Sequence, residues 1–172
     1  LNYQVYVMQS LPTSSGKSVE GSTVSVSSPT YLAGTTADFV FTVTNASVDE
    51  EWLNEVTITF PSGVTVNSST DMIGGTDGPL TTDGSTGDGA TITFSDTGGG
   101  YGNVYGNGQQ AAATVNLTFD ALLSGDLAVG YTIQGDIWGG QPHFVSSSLT
   151  MSPPPVGLDL TGPDGGEIVA SG

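Results

Sequence analysis

The sequence predicts an all-β protein: an antiparallel β-sandwich of about eight or nine short strands with long loops rich in Gly and Asp. Three observations carry that prediction. Apolar residues recur with a period of two in run after run, which places each set on one face of a strand. Turn-forming residues, above all the 26 glycines, punctuate those runs. No window shows the 3.6-residue apolar repeat of an amphipathic helix.

The clearest pair of runs lies between positions 28 and 66. Phe39, Phe41 and Val43 alternate with Val40, Thr42 and Thr44, and Val56, Ile58 and Phe60 alternate with Thr57 and Thr59. The connector 45–51 is polar, and Pro61-Ser62-Gly63 makes a turn after which Val64-Thr65-Val66 resumes the second run. Residues 2–8 have strong β propensity, with Tyr3, Val5 and Val7 on one side and Tyr6 and Met8 on the other. Residues 22–27 form a short strand around Val24 and Val26. Residues 67–89 read as a loop, and residues 90–95 as a strand. A second loop, 96–110, follows. Strands are then expected over 111–119, 127–134 and 143–151, the last with Val145, Ser147, Leu149 and Met151 on one face. This assigns 1–152 to one β-sandwich domain, with residues 2–8 free to pair at home or with a neighbouring copy. Residues 153–155 are a stiff Pro spacer, and 156–172 an extended tail or the start of a further domain.

Bulk composition narrows the function. Only 10% of residues are charged, and Lys17 is the sole basic side chain against 17 acids, for a net charge of -16. Nucleic acids and anionic membrane surfaces are repelled, because binding them needs Lys and Arg on phosphate. Acidic excess suits solubility, a saline habitat or divalent cations. There is no cysteine, hence no disulfide and no thiol nucleophile. No apolar run approaches the roughly 20 residues of a membrane-spanning helix. The chain starts at Leu1 without an initiator Met or a signal peptide, as a processed or excised segment would.

Two stretches resemble known repeat families. Ala33-Gly34, Phe41-Thr42-Val43-Thr44-Asn45 and Phe60-Pro61-Ser62-Gly63-Val64-Thr65 resemble the Ig-like β-sandwich modules of bacterial and archaeal secreted surface proteins, in which an Ala-Gly leads into a TxTVTN strand and a later strand ends in LPAGVT. Leu160 to Glu167, LTGPDGGE, is similar to the SPNGGE opening of another Ig-like repeat. The resemblance implies an Ig-like sandwich at the front of a longer multidomain protein, secreted or displayed on the cell surface. Its partners would be other copies or other domains of that protein, with glycan as a further ligand.

Several residues carry candidate chemistry. Asp71, Asp77, Asp83 and Asp88 lie in the acidic, Gly-rich loop, and Asp96 opens the next one beside Asn103 and Asn107. Calcium takes six to eight oxygens from carboxylates, backbone carbonyls and water, and Gly lets carbonyls turn inward. Asp-Gly pairs are equally ordinary turn chemistry. The run Asp49-Glu50-Glu51 with Glu55 is a third candidate for calcium, and such an acidic run equally reads as a solvated strand connector. Tyr101, Tyr105 and Trp138, with Trp52, are candidates for a sugar-stacking surface, since apolar sugar faces lie against aromatic rings; the alternative is that the tryptophans plug and cover the sandwich. Asn45, Asn67 and Asn116 fit the N-glycosylation pattern. His143 is the lone histidine, and no nucleophile elbow or histidine-rich zinc motif accompanies it.

The expected function is therefore a noncatalytic extracellular module for structure or adhesion within a larger surface protein. Two alternatives compete. One is a filament subunit joined by strand exchange through Tyr3, Val5 and Val7, because an unpaired strand edge offers a row of backbone donors and acceptors. The other is a carbohydrate-binding module of a polysaccharide-degrading enzyme.

Overall fold

The computed structural model describes residues 18–48, 50–98, 102–136 and 143–155. Tyr3, Val5, Val7, Tyr101 and Trp138 lie outside these residues, as does the tail 156–172. Within them the chain has ten strands and no helix: β1 (Thr23–Val26), β2 (Thr36–Thr44), β3 (Leu53–Thr59), β4 (Val64–Ser69), β5 (Thr81–Thr82), β6 (Gly87–Asp88), β7 (Thr91–Ser95), β8 (Gln110–Phe119), β9 (Leu127–Gly135) and β10 (Phe144–Met151).

The strands form two five-stranded sheets in the orders β1-β2-β8-β4-β6 and β10-β9-β3-β7-β5, with every strand pair antiparallel. Alternation along each strand explains the layering. On β8 the residues Ala111, Ala113, Val115, Leu117 and Phe119 are buried, while Thr114, Asn116 and Thr118 between them face outward. Val56 and Ile58 of β3, Ile92 and Phe94 of β7 and Val129 and Ile133 of β9 answer from the other sheet, all fully buried. Burying a side chain of this size contributes about 1.5–3 kcal/mol each. Phe119 stacks on Tyr31 with ring centroids 5.0 Å apart, and Phe39 meets it edge-on at 5.5 Å. The Tyr31 hydroxyl reaches the Gly125 carbonyl at 2.7 Å, so its one polar atom is satisfied inside the core.

Two expectations are corrected. Residues 64–66 do not resume the preceding run: β3 and β4 belong to different sheets, and Pro61-Ser62-Gly63 carries the chain across the core between them. Gly63 has φ of 88°, which lets its N–H meet the Asp88 carboxylate at 2.6 Å. The stretch 67–89 is more ordered than a loop. Met72 and Leu80 are fully buried and pair with each other, Ile73 pairs with Ala112, and β5 and β6 each add two residues to a sheet edge.

Candidate functional site at one end of the sandwich

Strand direction brings five segments to one end. β2 finishes there at Thr44 and β8 starts opposite it at Gln110. β3 begins there at Leu53 against Gly135, where β9 ends, and β10 begins at Phe144. The loops at that end enclose a group of polar side chains: Ser22, Asn45, Ser47, Glu51, Asn103 and Asp136 are all buried.

Asn45 is the centre of the group and is 0% exposed. Its side-chain NH2 donates to the carbonyls of Glu51, at 2.8 Å, and Val104, at 2.9 Å. Its Oδ1 accepts from the Ser47 N–H at 3.0 Å and the Ser22 hydroxyl at 3.4 Å. Its backbone N–H donates to Gln109 and its carbonyl accepts from Gly108. One amide therefore ties together three loops, with every donor and acceptor used.

Glu51 turns its carboxylate inward, and its side chain is 0% exposed against 18% for His143. Oε1 lies 2.8 Å from His143 Nδ1. The Glu51 N–H donates to the Ser47 hydroxyl at 3.1 Å. A side chain at Gly135 would overlap this carboxylate and the Val19 methyl, so only glycine fits there. Next to it, Asp136 pairs with Trp52 twice: its N–H donates to the Trp52 carbonyl at 2.8 Å, and its carboxylate accepts from the Trp52 N–H at 3.3 Å. The Gly135 N–H donates to the His143 carbonyl at 2.6 Å. Gly102, at φ of 89°, lets the following residues close against Leu53, where the Asn103 N–H donates to the Leu53 carbonyl at 2.9 Å.

Trp52 and Tyr105 form the rim, edge to face with centroids 5.0 Å apart at 68°. Both are half-buried. Burial, a hydrogen bond to Glu50 and the charge of Glu50 hold the Tyr105 phenol above its usual range. Ser18, Glu20, Ala46, Ser47 and Val48 line a shallow depression of about 350 Å³ beside this end.

The five aspartates of the acidic loops sit in separate turns. Asp71 accepts from the Thr82 N–H at 3.0 Å, and Asp83 from the N–H and hydroxyl of Ser85 at 3.0 and 2.8 Å. Asp88 accepts from the Gly63 N–H and the Ser62 hydroxyl, and Asp96 from the N–H groups of Gly98 and Gly102. Asp77 is exposed, with its backbone N–H on the Asn103 carbonyl at 3.3 Å. Among the described residues no three acid, His or Cys side chains gather closely enough to hold a metal ion. Of the three aromatic candidates, Tyr105 alone is described, and its ring contact is with Trp52.

The connector 45–51 is not the solvated link its polarity suggests. Glu50 is exposed, but Asn45, Ser47 and Glu51 are buried. The available signal was an acid beside a tryptophan in a chain with one histidine; what it lacked was the partner 92 positions away. Burial also removes Asn45 as a glycosylation acceptor in the folded chain, whereas Asn67 is exposed.

Fold and polar end together define an antiparallel β-sandwich module clasped at one end by buried hydrogen bonds. No family model matches the chain, and no curated protein matches it in sequence. Among solved structures, it is similar to a cohesin module from a Clostridium perfringens family 33 glycoside hydrolase, at 14% identity and a TM-score of 0.43, over 77% of this chain and 96% of that one. CaCohA2 from Clostridium acetobutylicum is similar at 13% identity and 0.41, over 77% and 90%. AvmM, described as catalysing macrocyclization in alchivemycin A biosynthesis, is similar at 12% identity and 0.40, over 82% and 94%. These overlaps are loose, so chemistry has to be read from this chain's own side chains.

Proposed function

We propose that the chain is a noncatalytic extracellular module, a structural or adhesion block of a larger surface protein. The observation that carries this reading is how its polar side chains are used. Glu51, the acid best placed to work with the histidine, has no exposed surface, so a substrate cannot touch it. On the sheet faces the hydroxyls and amides meet one another across strands: Thr36 with Thr118 at 2.7 Å, Thr59 with Thr91 at 2.9 Å, Asn67 with Asn116 at 2.9 Å. Such cross-strand pairs stiffen a sheet and leave a neutral, hydroxyl-rich surface. The carboxylates cap turns and supply the charge that keeps such a surface soluble. Antibody raised to residues 18–155 tests the location: labelling of intact cells that make the protein is expected, and labelling only after permeabilisation overturns it.

One observation favours a second reading, glycan binding. The Trp52–Tyr105 pair presents two half-buried rings at the end of the sandwich, where loops rather than sheet edges meet solvent. Binding to immobilised polysaccharide that disappears in Tyr105→Ala supports it, and equal retention of both proteins overturns it.

A further inference from the structure

Consecutive acids at the polar end turn in opposite directions. Glu51 is buried, while Glu50 is exposed beside the aromatic rim, its carboxylate hydrogen-bonded to the Tyr105 phenol. Glu50 holds this position at a φ of 69°, in the left-handed region that favours glycine and that few other residues adopt. The residue after Tyr105 packs against the shallow depression: a Cβ at Gly106 would sit 2.5 Å from the carbonyl oxygen of Ser47, which lines that depression together with Glu20. Gln109 anchors the rim. Its Oε1 accepts from the Tyr105 N–H at 2.6 Å and the Thr76 N–H at 3.1 Å, and its Nε2 donates to the Thr76 hydroxyl at 2.5 Å. Among the described residues the one side chain able to carry positive charge is His143, and its imidazole is on Glu51.

We propose that this corner binds an amino sugar, with the sugar ring against Trp52 and Tyr105 and its ammonium on Glu50. The proposal rests on the glycan-binding reading and names its ligand class. The apolar face of a sugar packs on aromatic rings, and these two are held in place before a ligand arrives. A carboxylate that accepts one bond from a phenol keeps lone pairs for further N–H donors. An ammonium bonded to a carboxylate is held about twice as strongly as a neutral donor would be. The depression, about 350 Å³, falls within the roughly 300–1,000 Å³ of small-ligand sites. Charge rules out the other glycans. A uronic acid or a sulfated sugar would meet Glu50 and Glu20, in a chain of net charge -16, with no described cation to receive it. A neutral sugar leaves the Glu50 charge unanswered, whereas a polymer of amino sugars is drawn in by the field of the whole chain.

Calorimetric titration of the full chain tests this, with an oligomer of unacetylated glucosamine and its fully N-acetylated counterpart, at about pH 5.5, where carboxylates are ionised. The free-amine oligomer is expected to bind about tenfold more tightly than the acetylated one. Glu50→Gln, at an exposed residue and similar in shape, is expected to bring the two level. Asp120→Asn removes the same charge just past the far end of β8 and is expected to leave both affinities unchanged. Equal losses in Glu50→Gln and Asp120→Asn overturn the proposal, because net charge alone would then attract the oligomer. Equal affinity of the parent for the two oligomers, lost in Tyr105→Ala, overturns it while leaving glycan binding in place. Binding of neither oligomer overturns both.

Discussion

His143 and Glu51, 92 positions apart, meet at 2.8 Å with the carboxylate fully enclosed and the imidazole near the surface. The contact joins the entry of β3 to the entry of β10, which lie in one sheet on either side of β9. An enclosed carboxylate is costly unless bonded, so the pair holds the loops in one arrangement. His143→Ala is expected to lose about 2 kcal/mol of stability, measured by denaturant unfolding at neutral pH. A change under about 0.5 kcal/mol would remove the pair from the account.

Asn45 gives the largest single effect expected. Truncation to Ala leaves the Glu51 and Val104 carbonyls and the Ser47 N–H without the partner they have now. A loss of about 4 kcal/mol is predicted for Asn45→Ala, at the upper end for a point substitution. Asn45→Asp keeps the acceptor, removes both donors and adds a charge near Glu51, so it should be at least as damaging. Chemical unfolding of the two variants checks both statements.

Asp83 predicts a small pH effect of known sign. Burial raises its pKa, but hydrogen bonds from Ser85 and Thr93 outweigh that and hold it below the usual 3.8. A depressed carboxylate stabilises the fold above its unfolded value, and the contribution fades as pH falls through the folded value. Asp83→Asn should therefore be slightly less stable than the parent at pH 7, by well under 1 kcal/mol for so exposed a group, and the gap should close as the pH falls through the folded value. A gap that widens in acid contradicts this.

The acidic loops carry a prediction about calcium as well. Asp71, Asp83, Asp88 and Asp96 each accept backbone N–H bonds in their own turns. Melting with chelator and with millimolar calcium is expected to agree within about 1 °C, since an ion that binds the folded state would raise it. A rise of several degrees in calcium would show these carboxylates converging on an ion.

Much of the fold was legible because strands advertise themselves by alternation. β8, β9 and β10 begin and end within a residue of where the period-two pattern places them. Sheet membership was not legible: Val56 to Val66 reads as one interrupted run, yet its halves belong to different sheets. The polar end was hidden for a related reason. Asn45, Ser47 and Glu51 look like loop residues, and their burial depends on Val104, Gly135 and His143, which local pattern cannot connect to them.

Melting of Glu51→Gln tests the central claim most directly, because a working carboxylate and a clasp respond in opposite directions. Side chains kept for chemistry are often held at the expense of stability, so their neutral replacements hold or raise the melting temperature. The account predicts a fall of roughly 5 °C or more, since an acceptor is replaced by an amide inside a closed group. An unchanged or raised melting temperature would contradict it.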